Sequence, residues 1–147
     1  MSKDYAPRMH SAEHVLNRTM VNMFGCERSF SAHINKKKSK CDYHFDRDLT
    51  EAEVQELQER INTAISSRLS VHMEMMPRAQ AQEEFNLARL PESAGEELRI
   101  VHIGDYDACP CIGEHVDNTA EIGAFTLSSH SYEDGVLRLR YKLASPE

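Results

Sequence analysis

No apolar run in this chain approaches the ~18 to 20 residues of a membrane-crossing helix, so the sequence offers no spanning segment. The opening MSKDYAPR lacks the apolar stretch of a secretory leader, and a cytoplasmic protein is the expectation. Cysteine is scarce: Cys26, Cys41, Cys109 and Cys111 are the whole set. In a cytoplasmic chain they point to thiols or metal ligands rather than a disulfide framework. Cys109 and Cys111, with only Pro110 between them, cannot readily bridge each other. Positive charge is outweighed, and a net charge of −7 argues against a broad electrostatic grip on nucleic acid. A local basic patch can still contact phosphates. Internal repeats, low-complexity segments and linkers are absent too, so residues 1–147 read as one domain, long enough to bury a core without staples.

What is present is clear amphipathic patterning. Residues 9–24 predict a helix, because Ala12, Val15, Leu16, Met20, Met23 and Phe24 recur at helical spacing and Gly25 offers a stop. Residues 30–35 and 40–45 predict a hairpin turned by Lys36, Lys37 and Lys38. Thr50 to Glu53 is a capping box, and Val54, Leu57, Ile61, Ala64, Ile65 and Leu69 form the buried stripe of the helix it starts. A strand at 70–75 follows, then a short helix after Pro77 running through Phe85, and a strand at 98–103. Residues 104–118 read as a polar, cysteine-bearing loop. The chain ends in a hairpin of 122–129 and 136–143, in which Leu137, Leu139, Tyr141 and Leu143 alternate with Arg138, Arg140 and Lys142. The expected fold class is α+β, with helices packed on a mostly antiparallel sheet.

Within the first helix, HSAEH sets His10 and His14 one turn apart on one face, where two imidazoles can share an ion without distorting the backbone. Taken alone, they are equally ordinary polar residues at a helix start. Near the other end, CPCIGEHVDNTAEIG contains a C-x3-H pair, Cys111 and His115. A thiolate and an imidazole added to two imidazoles make a nitrogen and sulfur set that suits Zn²⁺ over Mg²⁺ or Ca²⁺. The bland alternative is a buried cysteine and a surface histidine.

HSAEHVLN and CIGEHVDNTAEIGAF resemble the paired signatures of the alanyl-tRNA editing domain. That domain occurs inside alanyl-tRNA synthetases, as a related second domain of threonyl-tRNA synthetases, and as free-standing AlaX proteins. FDRDLTEAEVQELQERINTAI, MPRAQAQEEF, RIVHIGDYDAC and EDGVLRLRYKL match further landmarks in the same order, so the resemblance covers residues 9–143. Two departures stand out. Cys111-Ile112-Gly113-Glu114-His115 replaces the C-G-G-T-H typical of synthetases, and Ala120 replaces a glycine in the usual T-G-E-I-G. The resemblance implies zinc held by His10, His14, Cys111 and His115. It also implies hydrolysis of the ester joining an amino acid to the 3′ end of tRNA, with Ser-tRNA charged on the alanine acceptor as substrate. Zinc suits that reaction by polarising an ester carbonyl or lowering the pKa of a water. Four protein ligands, however, would close a tetrahedral site, which is the structural pattern.

Several roles stay open on sequence grounds. HSAEH is formally H-x-x-E-H, the inverzincin protease motif, but the whole-chain resemblance argues against that family. Glu13 is either a proton-handling base beside the metal or a first-turn glutamate complementing the helix dipole. Glu114 either orients a ligand histidine or faces water. Asp117 and Thr119 either contact the substrate or hold their loop by local hydrogen bonds. Lys36, Lys37, Lys38 and Lys40, with Arg138, Arg140 and Lys142, are candidate contacts for the acceptor end of tRNA, or else solvated surface. No aromatic is interleaved with these charges, and neither DNA nor membrane is an expected partner. The competing functions are the same zinc site acting on another aminoacyl-tRNA, small ester or amide, and a non-catalytic zinc-stabilised module that binds tRNA or a synthetase.

Overall fold

The computed structural model describes residues 6–85 and 95–144. Helix α1 spans Pro7–Phe24 and starts earlier than the apolar pattern suggests, because Pro7 takes the first helical position, where its missing N–H is no loss. It stops at Gly25, whose left-handed φ of 69° lets its N–H cap the Val21 carbonyl at 2.9 Å. Strands β1 (Ser31–His33) and β2 (Ser39–His44) form the first hairpin. β1 is shorter than expected because the Ser39 hydroxyl bonds both the N–H and the carbonyl of Asn35, taking that residue out of the ladder.

Helix α2 (Glu51–Ser66) carries the capping box in full: Glu53 N donates to Thr50 Oγ1 and Thr50 N to Glu53 Oε1. Strand β3 (Val71–Pro77) runs directly into helix α3 (Arg78–Glu84). Strand β4 is Glu97–Ile103. The expected loop at 104–118 is corrected here: Asp107–Pro110 form strand β5, paired antiparallel to β4. That short segment, with a proline and an aspartate, has no strand pattern of its own and is made a strand by its neighbour. The last predicted strand also shifts. A 3-10 turn, Thr119–Glu121, is capped by the Asn118 side chain, and β6 covers Phe125–Glu133. Asp134 and Gly135, both at positive φ, make the two-residue turn into β7 (Val136–Leu143).

Among the described residues all the strand pairings are antiparallel, and they make two sheets, ordered β1-β2-β7-β6 and β3-β4-β5. The inner face of the larger sheet presents Cys41, Tyr43, Leu137, Leu139 and Tyr141 to α1 and α2, and these residues share one core with Val71, Val101 and Ile103 of the smaller sheet. A smaller core of Met76, Ala81, Leu98 and Ile100 lies between the other face of the small sheet and α3. The hydroxyls of Tyr141 and Tyr43 bond the Met9 carbonyl and the Asn17 side chain, which fixes α1 along the large sheet. Edge strand β6 is covered by α2, because Gln58 accepts from Leu127 N and Asn62 pairs with both backbone groups of Phe125. Helix α1 therefore lies between a fixed sheet on one side and β5 on the other.

Candidate metal centre

The donor atoms of His10, His14, Cys111 and His115 all lie within 4.8 Å of one another. Cys111 Sγ is 3.3 Å from His10 Nε2, against about 3.5 Å expected between sulfur and nitrogen ligands of one tetrahedral zinc. The sequence-predicted ligand residues are thus brought together, two from α1 and two from the turn after β5. That turn is held by its backbone. Arg99 on β4 donates from Nε to the Cys111 carbonyl at 2.9 Å and from its guanidinium to the Gly113 carbonyl. Val116 N donates to Ser11 Oγ at 3.1 Å. Gly113 is required by proximity: a Cβ there would meet His10 Cε1 at 2.2 Å.

Each imidazole has an outer partner. His10 Nδ1 bonds the Glu114 carbonyl at 3.0 Å, and His115 Nδ1 bonds Ser11 Oγ at 2.9 Å. His14 Nδ1 lies 3.5 Å from Asp107 Oδ2, close for an ion pair but without a hydrogen bond. This leaves the Nε2 atoms for the centre, and His115 Nε2 is buried with no hydrogen-bond partner. Metal-ligating histidines are normally oriented through the second ring nitrogen in this way. A thiolate and imidazole donor set with an orphaned buried nitrogen fits a metal ion and is compatible with zinc.

The electrostatics favour the same assignment. Burial opposes a Cys111 thiolate, but the three imidazoles around it prevail and hold its pKa down to about 2. Burial also works against a charged His14, yet Asp107 and Cys111 outweigh it and raise that group to about 9. His115 is pushed down to about 4 by burial and by the other two imidazoles. Cys109 differs, with burial pushing its thiol up to about 12. The thiolate is the metal-ligating form, so of the two neighbouring cysteines only Cys111 is poised to bind.

Asp107 is the residue that sequence reading passed over. Its buried carboxylate takes Arg28 through both oxygens at 2.7 and 3.2 Å, and Arg18 at 3.0 Å, besides facing His14. Burial raises its pKa, but His14 and Arg28 together hold it well below the usual carboxylate range. Ser11 was also missed. Neither residue carries a spacing signal, since both partnerships join opposite ends of the chain.

The remaining candidates separate. Glu13 is buried and lies beyond the first turn of α1, so the helix-dipole role is corrected. Its Oε1 is 3.7 Å from His10 Nε2, while Oε2 accepts from Asn17 at 3.3 Å and Ser29 at 3.5 Å. The Glu114 side chain is exposed, and this residue orients His10 through its carbonyl instead. The Asp117 side chain is exposed, and its carbonyl accepts from Val71 N. The Thr119 hydroxyl is buried, donating to Ile65 O and accepting from Leu69 N, which leaves nothing to offer a substrate. Lys36, Lys37 and Lys38 are exposed at the β1-β2 turn. Lys40 pairs across from Arg140 on the outer sheet face. Arg138 is already taken by Asp42, through bonds of 2.8 and 2.9 Å. An aromatic does border this face: Phe30 stacks on His44 with ring centroids 4.0 Å apart.

Residues 98–140 match the family described as the threonyl and alanyl tRNA synthetase second additional domain. The alanine–tRNA ligase of Thermoanaerobacter pseudethanolicus is 30% identical over 139 residues, 94% of this chain and 16% of the relative. That of Aeropyrum pernix is 32% identical over 138 residues, 91% of this chain and 15% of the relative. That of Listeria innocua is 33% identical over 129 residues, 83% of this chain and 14% of the relative. This chain therefore spans only about one-seventh of the length of the relatives it matches. Its sequence aligns over most of its length with a part of those ligases, and its residues 98–140 belong to the family of the threonyl and alanyl tRNA synthetase second additional domain.

Proposed function

We propose that this chain is a zinc-dependent hydrolase that deacylates misacylated tRNA, acting on serine esterified to the alanine acceptor. The observation that carries the reading is the convergence of His10, His14, Cys111 and His115, with the outer nitrogen of each imidazole facing a fixed polar partner. These residues would hold the ion, which when bound supplies Lewis acidity toward an ester carbonyl. Glu13 takes the proton of the attacking water: its carboxylate borders the cluster, and Asn17 and Ser29 keep the second oxygen in place. Lys36, Lys37, Lys38, Lys40 and Arg140 are available to acceptor phosphates, whereas Arg138 is held by Asp42. Discrimination of serine from alanine requires a partner for the extra hydroxyl, since an apolar pocket separates such substrates poorly.

A panel of aminoacyl-tRNAs, assayed for deacylation with and without a chelator, tests the reading. Chelator-sensitive turnover of Ser-tRNA of the alanine acceptor, faster than of Ala-tRNA, is expected. One observation favours a second reading: four protein donors can complete a tetrahedral shell and make zinc purely structural. In that case the protein retains metal and binds tRNA, and no ester in the panel is turned over above its spontaneous rate.

A further inference from the structure

The large apolar side chains exposed among the described residues are Phe30 at 39%, Met73 at 44%, Met75 at 57% and Ile112 at 62%. Met73 and Met75 lie on β3, and Ile112 lies in the turn that carries Cys111 and His115. In the small sheet, Met73 pairs with Val101 and Val101 with Cys109, while Met75 pairs with Arg99. Cys111 N donates to the Arg99 carbonyl, so the ladder continues one row beyond β5. Directly paired residues point to the same face of a sheet. Cys111, Arg99 and Met75 therefore form one row across the three strands, and Cys109, Val101 and Met73 form the next. Asp107 lies on this face as well, which is where α1 brings His14 against it. Helix α1 packs against the β5 side of the face, Val71 at the start of β3 is buried, and Met73 and Met75 stay exposed.

We propose that Met73 and Met75 form the subsite for the purine of the nucleoside that bears the ester. The inference rests on the deacylase reading for the identity of the ligand. Neighbouring strands are about 4.8 Å apart, so Met75 lies roughly 10 Å across the sheet from the Cys111 position. A 3′-terminal nucleoside has one ribose between its acyl carbon and its base, a separation of the same order. With the ester at the cluster, the base reaches β3 and the small serine side chain does not. Thioethers are well suited to the flat face and edge of an aromatic ring, because they are polarisable and unbranched. Ile112 extends the apolar rim beside the cluster, carried between the two carbonyls that Arg99 grips.

The test uses zinc-loaded protein labelled at the methionine methyl groups, titrated with a hydrolysis-resistant probe, 3′-(L-serylamino)-3′-deoxyadenosine. The matching seryl amide of a ribose lacking the base is the control. The adenosine amide should shift the Met73 and Met75 methyl resonances, and the control should not. Met73→Ser with Met75→Ser should weaken binding of the adenosine amide about tenfold while zinc content stays at the wild-type level. Failure of the probe to bind, binding without shifts at these methyls, or shifts that follow protein concentration instead of probe would overturn the subsite. The last of these would mark β3 as a contact between two copies. If the shifts occur but no aminoacyl-tRNA is hydrolysed, the subsite stands and the deacylase reading falls. If deacylation proceeds with an unchanged KM in the double variant, the deacylase reading stands and the subsite falls.

Discussion

Cys109 and Cys111 differ in what their sulfurs face. Cys111 looks onto three imidazoles that favour its thiolate, whereas Cys109 is a half-buried thiol that donates to the Pro110 carbonyl. Cys111→Ser should lose zinc affinity, and Cys109→Ser should retain about one zinc per chain by elemental analysis. The reverse pattern would move the thiolate ligand by two residues, to Cys109. Glu13 tests a different property. Glutamine there preserves shape and can still bond Asn17, but it cannot accept a proton. Glu13→Gln should therefore keep zinc and slow deacylation by about a hundredfold to ten-thousandfold. A rate within twofold of wild type would reduce Glu13 to a structural partner of Asn17 and Ser29.

At the scale of elements, the site is a joint between α1 and β5, and Asp107 is its strut. One carboxylate binds Arg18 from the helix and Arg28 from the segment after it, and faces His14 of the cluster at 3.5 Å. Asp107→Asn removes the charge that two guanidiniums and an imidazole share. Partners of this kind are typically worth about tenfold to a hundredfold in metal affinity, and zinc competition against a chromogenic chelator should show a loss in that range. An unchanged affinity would mean that packing alone positions His14. Helix α1 was legible because its apolar residues repeat along its own length. Strand β5 was not, since nothing within Asp107–Pro110 marks a strand until β4 supplies the ladder.

At the scale of the whole molecule, the cluster sets how the metal-free protein responds to pH. His14 is raised to about 9, so its contribution to stability is whole below pH 6.5 and is lost as pH rises through 9. Cys111 is lowered from 9.0 to about 2, so its contribution is whole above pH 9 and is lost progressively as pH falls toward 2. Between pH 6.5 and 9 these slopes cancel, because the folded protein keeps on His14 the proton that the unfolded chain keeps on Cys111. His115, lowered to about 4, adds stability that is present above pH 6.5 and lost as pH falls through 4. The Tm of metal-free protein should accordingly be level from about pH 6.5 to 9 and drop on acidification toward 4. A steady fall across the upper window would contradict the His14 and Cys111 pairing.

The sequence by itself determined the helix faces, the capping box at Thr50, the closing hairpin, and the short spacing of the two candidate ligand pairs. All of these are written in spacings of a few residues, where covalent geometry dictates which side chains share a face. Only the tertiary structure decided that the two pairs meet, that Asp107 and Ser11 hold their imidazoles, and that the Thr119 hydroxyl is used up in the core. It also decided that Met73 and Met75 share a sheet face with the cluster. Those relations join residues far apart in the chain, and they exist only once burial of the common core has paired the strands and seated α1 between the sheets.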